Sequence, residues 1–532
     1  ETTSSGINVT GQINVNGSAL SAAPEVTGTA TGAITADKAV CVKSDGTFEQ
    51  IASSETLNNP VTVGSTTYQQ HDNQPYDNRM DTAIDSSGFV AQSFSAEVNQ
   101  VYYKLGLINA SSGVINWRKT DYGDLWYNTT TSYYSRVTYG KNSNGDDIFL
   151  FSCINNANQI VFKAAKVESA SIDGNGTLAY NLTFGNASTF TGTADHYEVA
   201  FNETDDKFYV VYSGAGNSAG SGSNDKQIIV PVSVDSASGF AVTTGTVVGG
   251  TISASGGSAI KTVIDPSTKN IFSFIQKSNT TKIIPWTWGG SAYTMGSMSD
   301  VVSNNYTAGY RSFNVGFDSK NSKIILTYMN SDEDARVMIG DVSGASVTWG
   351  SYIEYINANS LGSAIAFDTN LNRVFIGARH EAGGSSGTKM RLFSGVTSGS
   401  GTNSTITFTS SSHLVNDPAT NFCSAAFDPI SNLVIFSYGD SGDSDKGKII
   451  TVNLGSVTTN ATTENFIGFA KSTVSNGATA TVKVVGNTTT KSSLTPGLKY
   501  YVQKDGSLAT TATTPSVEAG IALTSTKLLI KG

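Results

Sequence analysis

The residues best suited to hold a ligand lie in one run, Trp117-Arg118-Lys119-Thr120-Asp121-Tyr122-Gly123-Asp124-Leu125-Trp126-Tyr127, with Tyr133 and Tyr134 beyond it. Aromatic faces stack on sugar rings while neighbouring Asp, Arg and Asn side chains bond hydroxyls. Trp117, Tyr122, Trp126 and Tyr127 are therefore the candidate glycan-binding residues. The competing reading is that these rings pack between neighbouring sheets. Trp286-Thr287-Trp288 alternates as a strand does, which puts both indoles on one face, and there packing is the better reading.

Other chemistry is sparse. Asp440, Asp443 and Asp445 sit in one short loop and could offer hard oxygen ligands to Ca²⁺, but the order of a calcium loop with its closing Glu is missing. A solvated loop is the simpler reading, both there and at Asp332-Glu333-Asp334. The histidines, His71, His196, His380 and His413, share no ligand spacing, so neither a metal nor a cofactor is expected. Gly-x-Ser-x-Gly occurs at Gly216-Asn217-Ser218-Ala219-Gly220 and Gly383-Gly384-Ser385-Ser386-Gly387, but no helix is predicted to follow either, so neither reads as a nucleophile elbow. The Asp turn of sialidases, with Ser before the Asp and Gly and Trp after it, is missing from the repeat described below. Gly214-Ala215-Gly216-Asn217-Ser218-Ala219-Gly220 resembles a phosphate loop only in composition, because no helix is predicted to follow it. No catalytic residue is assigned, and the chain reads as a non-enzyme.

The elements that would position these residues are strands. One unit recurs: an apolar strand ending in Asp or Asn, a short polar turn, and a second apolar strand. Val315-Gly316-Phe317-Asp318 before Lys323-Ile324-Ile325-Leu326, Ile365-Ala366-Phe367-Asp368 before Arg373-Val374-Phe375-Ile376, and Ala425-Ala426-Phe427-Asp428 before Leu433-Val434-Ile435-Phe436 are the clearest copies. Weaker copies end at Asp85, Gly140, Asn202 and Asp265. An Asp or Asn here can accept a bond from the backbone two residues on, and Pro266 and Pro429 preset the next dihedral. These positions, 85, 140, 202, 265, 318, 368 and 428, are roughly 50 to 63 residues apart, a period that suits a four-stranded blade. The expected architecture is all-β, a β-propeller of about seven blades, whose ring leaves only short sheet edges. Tandem β-sandwiches are the alternative.

Composition agrees. Gly is frequent at 54 of 532 residues, Pro is rare at 10, and only 14% of residues are charged, a mixture that favours strands and turns over helices. The net charge of −9, with basic residues scattered, argues against nucleic acid as a partner. Cys41, Cys153 and Cys423 imply no disulfide framework. No apolar run approaches the roughly 18 residues of a membrane span, so a soluble chain without membrane insertion is expected. Because it opens with Glu1, the chain reads as a fragment of something longer. Asn-x-Ser/Thr sequons, as at Asn128, Asn181, Asn279 and Asn487, are what a chain rich in Asn, Ser and Thr produces by chance.

The two ends resemble each other. Val42-Lys43-Ser44-Asp45-Gly46-Thr47-Phe48 and Val502-Gln503-Lys504-Asp505-Gly506-Ser507-Leu508 both read as strand, Asp-Gly turn, strand. Gly468-Phe469-Ala470 and Gly520-Ile521-Ala522 form a second echo. Residues 21–58 and 463–532 are expected to form one small split β domain, with a propeller over 59–462 inserted in its loop. Residues 1–20 repeat Ile7-Asn8-Val9 and Ile13-Asn14-Val15, segments too short to bury an apolar face alone, and are expected to form a β stem in a homotrimer.

The stretches Asn465-Phe466-Ile467-Gly468-Phe469-Ala470, Leu494-Thr495-Pro496-Gly497-Leu498-Lys499-Tyr500-Tyr501-Val502 and Val517-Glu518-Ala519-Gly520-Ile521-Ala522-Leu523 resemble a C-terminal module of tailed-bacteriophage structural proteins, especially of marine and cyanophage-like viruses. The opening Gly-x-Ile-x-Val-x-Gly pattern is similar to short repeats of phage fibre stems. The resemblance implies a virion protein, a tail fibre or appendage, often trimeric, that contacts other virion proteins and displays its propeller for host-surface glycan binding. The alternatives are a capsid or tail decoration protein with a structural propeller, and a polysaccharide depolymerase.

Overall fold

The computed structural model describes residues 24–531 apart from 44, 52–61, 65–79, 98–99, 110–113, 118–123, 129–132, 143, 173–177, 195, 215–225, 236–238, 252–258, 278, 304–312, 358–359, 361–362, 371, 382–387, 409–412, 419, 441–445, 454–464, 504–505 and 513–516; before residue 24 it describes 2–3, 6–7, 14–15 and 18–19. Regular structure among the described residues is strand apart from one short 3₁₀ turn, Gly401–Asn403. No helix there is long and apolar enough to cross a membrane. The chain forms two compact units, Glu1–Asn58 with Ser456–Gly532, and Asn59–Gly455 between them in sequence.

The middle unit is a β-propeller. Among the described residues it holds seven antiparallel sheets, each begun by one copy of the repeat. The first strands, Met80–Ile84, Tyr133–Lys141, His196–Asn202, Ala259–Ile264, Phe313–Asp318, Ser363–Asp368 and Thr420–Asp428, stand side by side, and the last lies against the first. Each junction between sheets has its own core. Ile148, Phe162, Phe208 and Val230 fill the one between the second and third sheets, and Leu433, Ile435 and Ile449 meet Ile84, Val90 and Ile108 where the seventh meets the first. Fully burying a side chain of this size stabilises the fold by about 1.5–3 kcal/mol, so the ring is held by apolar junctions. It is also clasped: Thr62–Gly64 pairs as the outermost strand of the seventh sheet, beside Thr451, Val452 and Asn453.

The turn chemistry explains the repeat. Asp85, Asn202, Asp265, Asp318, Asp368 and Asp428 each accept a bond from the backbone N–H two residues on, at 2.8–3.1 Å. Burial of these five carboxylates and one amide is tolerable because the turn backbone donates to them. The second sheet departs from the sequence reading. Gly140 lies inside the first strand, paired with Ile148, and Asn142 instead accepts bonds from Asn144 and Asp146, so this hairpin runs two residues longer.

The outermost strand is broken in two in the first six sheets, both halves pairing with the same third strand. In the third sheet the halves are Ala241–Thr244 and Val248–Thr251, and in the fifth Ser346–Trp349 and Ile353–Ile356.

The end unit holds two five-stranded sheets with the same strand order. One runs Glu25–Thr29, Thr479–Lys483, Phe466–Ala470, Ala39–Val42, Phe48–Gln50; the other runs Thr488–Thr490, Lys527–Ile530, Val517–Thr524, Lys499–Val502, Leu508–Ala509. Both are one module, strand for strand. Their Asp-Gly turns match as well: Gly46 donates to Lys43 O and Gly506 to Gln503 O, each at 2.9 Å. Gly468 and Gly520 occupy the same place, where an added Cβ would come within 1.9 Å of a carbonyl oxygen, of Lys483 and Leu529 respectively. The two chain ends share one compact unit, and within it the module occurs twice. The propeller occupies, in the first copy, the connection that runs directly from Ala509 to Val517 in the second. The unit boundary falls at Gly455, and the first residues form two local hairpins, Thr2–Thr3 with Gly6–Ile7 and Asn14–Val15 with Ser18–Ala19.

Candidate functional site

Two polar sites emerge from the propeller. The first lies on the inner strands, where the repeat stacks four charged residues from four successive sheets. Asp81, Glu198 and Lys261 each stand four residues before their turn Asp or Asn, and Arg136 stands six before Asn142 because of the longer hairpin. Glu198 accepts bonds from Arg136 at 3.0 and 3.2 Å and from Lys261 at 2.9 Å. Burial alone would raise the Glu198 carboxyl, but the two cations outweigh it and hold it below the usual range. Asp81 accepts from the Val137 N–H at 3.2 Å, and burial pushes its carboxyl up to about 6 despite Arg136. His196, desolvated and near Arg136, is lowered to about 4 and is neutral at pH 7. The charges satisfy one another, so this cluster fastens inner strands together.

The second site is a cleft of about 430 Å³ between the third and fourth sheets, within the range of saccharide-sized pockets. Its cause is local. At the outer-strand break an added Cβ on Gly185 would lie 2.2 Å from Phe240 O, and one on Gly350 would lie 1.8 Å from Ser404 O, in each case the backbone of the next sheet's outer turn. At Gly245 the nearest atom is Cγ of Pro231, in its own sheet, at 2.9 Å. The next sheet's turn there is only Gly289-Gly290-Ser291-Ala292, between Trp288 and Tyr293, and the space stays open. Ser233, Thr243, Thr244, Thr246 and Ser291 bring hydroxyls to its wall, and Ile229, Pro231 and the rings of Tyr209 and Tyr293 bring apolar surface. The Tyr209 hydroxyl donates to Asp205 Oδ2 at 2.6 Å, and Lys207 Nζ lies 3.3 Å from the same oxygen. Asp205 Oδ1 is buried without a partner. Burial, then Asp205, raises the Tyr209 hydroxyl far above its usual value, so it stays a donor. Hydroxyls beside apolar surface, with the Lys207 cation among them, can hold a small polyhydroxylated ligand.

The aromatic run is placed otherwise. Trp117 closes the first half of the broken outer strand of the first sheet and packs toward the seventh, in the cluster of Leu433 and Ile435. Trp126, 3% exposed in the second half, faces the second sheet beside Phe149 and Phe151 and donates to Ser93 Oγ at 3.3 Å. Tyr127 is half-buried beside it, with ring centroids 5.8 Å apart. Trp117 and Trp126 thus serve different junctions and form no shared platform; Tyr122 lies outside the described residues. Trp286 and Trp288 fall in one junction core, with Trp286 bonded to Ser273 Oγ at 2.9 Å. Asp443 and Asp445, and the side chain of Asp440, lie outside the described residues. No cluster of three or more His, Cys, Asp or Glu able to hold a metal occurs among the described residues. Sequence reasoning missed the cleft, whose only sequence signal was the short Gly-Gly turn after Trp288.

No family model matches the chain, and no curated protein does. Among solved structures, the BP39L lectin of Burkholderia pseudomallei is 9% identical, with 72% of this chain and 97% of that one covered and a TM-score of 0.51. The NanB sialidase of Streptococcus pneumoniae is 11% identical over 76% of this chain and 73% of that one, at a TM-score of 0.41. The β-propeller domain of Cps50 (Swd1) from Myceliophteria thermophila is 7% identical over 73% and 99%, at 0.38. At these identities the likeness concerns the fold alone.

Proposed function

We propose that this is a saccharide-binding propeller without catalytic activity, displayed on an appendage of a tailed-phage particle, and that the cleft between the third and fourth sheets holds the sugar. The observation that carries the reading is that cleft, a sugar-sized space walled by five hydroxyl side chains over tyrosine and proline surface. Glycosidases of the common kind work with two carboxylates flanking the bond to be cut. The side chains lining this cleft include no carboxylate, which favours holding a sugar over cutting one. A lectin is among the structures of similar fold, which accords with a binding role.

The test is a glycan microarray probed with the whole chain and with Thr244→Trp, which plugs the cleft from an exposed position. Binding to a defined set of glycans that disappears in the variant supports the cleft; binding that survives in full, or none to any glycan, overturns it. The appendage reading draws on the end segments that resemble phage virion modules. Immunogold electron microscopy of intact particles checks it: label at fibre tips supports it, and label tiled over the capsid favours the decoration alternative. A trimeric mass in solution would support the stem reading, and a monomeric one would oppose it.

A further inference from the structure

We infer that the outer-strand break of the fifth sheet is a second saccharide contact site, built on the exposed ring of Tyr352. Tyr352 is 51% exposed and is the one aromatic among the large exposed hydrophobic residues of the described chain. Single exposed apolar residues are ordinary on protein surfaces. What sets this one apart is its frame. The Arg336 guanidinium lies 4.2 Å from the centre of the ring, occupying one face and fixing its angle. Arg336 is held in turn by Glu354, Nη2 to Oε2 at 3.3 Å, and the other oxygen of Glu354 accepts from Asn357 Nδ2 at 2.9 Å. A rigid ring with a carboxylate and an amide beside it is the combination that takes the C–H face of a pyranose and bonds its hydroxyls.

Charge narrows the ligand. Arg336 and Glu354 cancel, so the site has no surplus cation to draw an acidic sugar, and a neutral hexopyranose fits it best. Position in the fold gives the second argument. Tyr352 ends the three-residue break that begins at Gly350, the counterpart of the break at Gly245 that lines the cleft two sheets away. At Gly350 the space is filled by the next sheet's turn, so contact is made on the outside of the break by Tyr352. Two contact points on one rigid ring let a polymeric or densely displayed glycan engage both, gaining avidity by effective concentration. The choice of ligand class rests on the saccharide reading above; the site itself does not depend on the cleft.

Saturation-transfer NMR tests it, with the methyl glycosides of glucose, galactose and mannose as probes and the whole chain as receptor. With the cleft plugged by Thr244→Trp, at least one probe should still receive transfer. Adding Tyr352→Ala should abolish that remainder, Tyr352→Phe should keep it, and Glu354→Gln should weaken it. Tyr352 is exposed, so the thermal midpoint should not move. If plugging the cleft alone removes all transfer, the cleft stands and this site falls. If Thr244→Trp changes nothing and Tyr352→Ala abolishes transfer, this site stands and the cleft falls. Transfer that survives both substitutions, or none in the unmodified chain, overturns the proposal.

Discussion

Arg136 grips Glu198 with two donors, Nη2 to Oε1 at 3.0 Å and Nε to Oε2 at 3.2 Å, joining the inner strands of the second and third sheets. Lys261 of the fourth sheet reaches the same carboxylate. Removing one partner of a buried ion pair leaves the other desolvated and uncompensated, typically costing about 3–5 kcal/mol. Glu198→Ala should therefore destabilise the propeller by about that much, and Glu198→Gln by less. Urea unfolding followed by tryptophan fluorescence measures both; a variant within error of the unmodified protein would show the cluster to be dispensable.

The same cluster sets a pH dependence. Asp81 rises from its usual 3.8 to about 6 because burial disfavours its charge, and Asp85 rises likewise to about 6. A carboxyl raised in the folded state binds its proton there more tightly than in the unfolded chain. Stability from these groups therefore increases as pH falls through about 6 and is lost as pH rises. Glu198 has the opposite sign, but its contribution is lost only below its usual 4.5; His196, lowered from 6.5 to about 4, also has the opposite sign and offsets one of the two Asp residues between those values. Between 4.5 and 6 the Asp effect should dominate, and Asp81→Asn should flatten the curve of thermal midpoint against pH there. An unchanged slope would remove Asp81 from the account.

Trp126 packs between sheets, and its truncation should behave as a core deletion. Trp126→Ala should lose about 3–5 kcal/mol of stability while leaving glycan binding at permissive temperature unchanged. Loss of binding at full stability would instead restore the aromatic run as a ligand site.

Two glycines at equivalent breaks should differ sharply. Gly350→Ala forces a Cβ to within 1.8 Å of a backbone oxygen in the next sheet, whereas Gly245→Ala meets a proline ring at 2.9 Å. The first should lower the melting temperature substantially and the second only slightly. Equal shifts would contradict the geometry that opens the cleft.

The duplicated end module should fold without its insertion. Joining Ile51 to Asn465 through a copy of Ala512–Ser516 makes the first copy match the second in length. The product should give a cooperative thermal transition and dispersed NMR amide signals; an aggregated or unfolded product would mean that the propeller is needed to assemble it.

Much of the fold was legible in the sequence because turn chemistry is local. An Asp that must bond the backbone two residues on announces itself beside its strand, as at Asp318 and Asp428. The exception is instructive. Gly140 sat at the right spacing, but the hairpin extends to Asn142, and only the ladder register shows it. The sites were far less legible. Arg136, Glu198 and Lys261 lie 62 or more residues apart and meet only after the ring closes. The cleft depends on how far one turn reaches toward a neighbouring sheet, which composition does not encode. The aromatic run looked like a binding surface because packing between sheets draws on the same residue types.

The clasp between Thr62 and Asn453 has a mechanical meaning. These residues face each other at the same end of an antiparallel pair, where the chain comes in before Thr62 and goes out after Asn453. Tension applied through those two connections would peel the pair apart one bond at a time, instead of loading all its bonds in parallel. Under a load applied in this way the seam would give way bond by bond from this end, and the seventh sheet would lose its outermost strand before its other pairings were loaded.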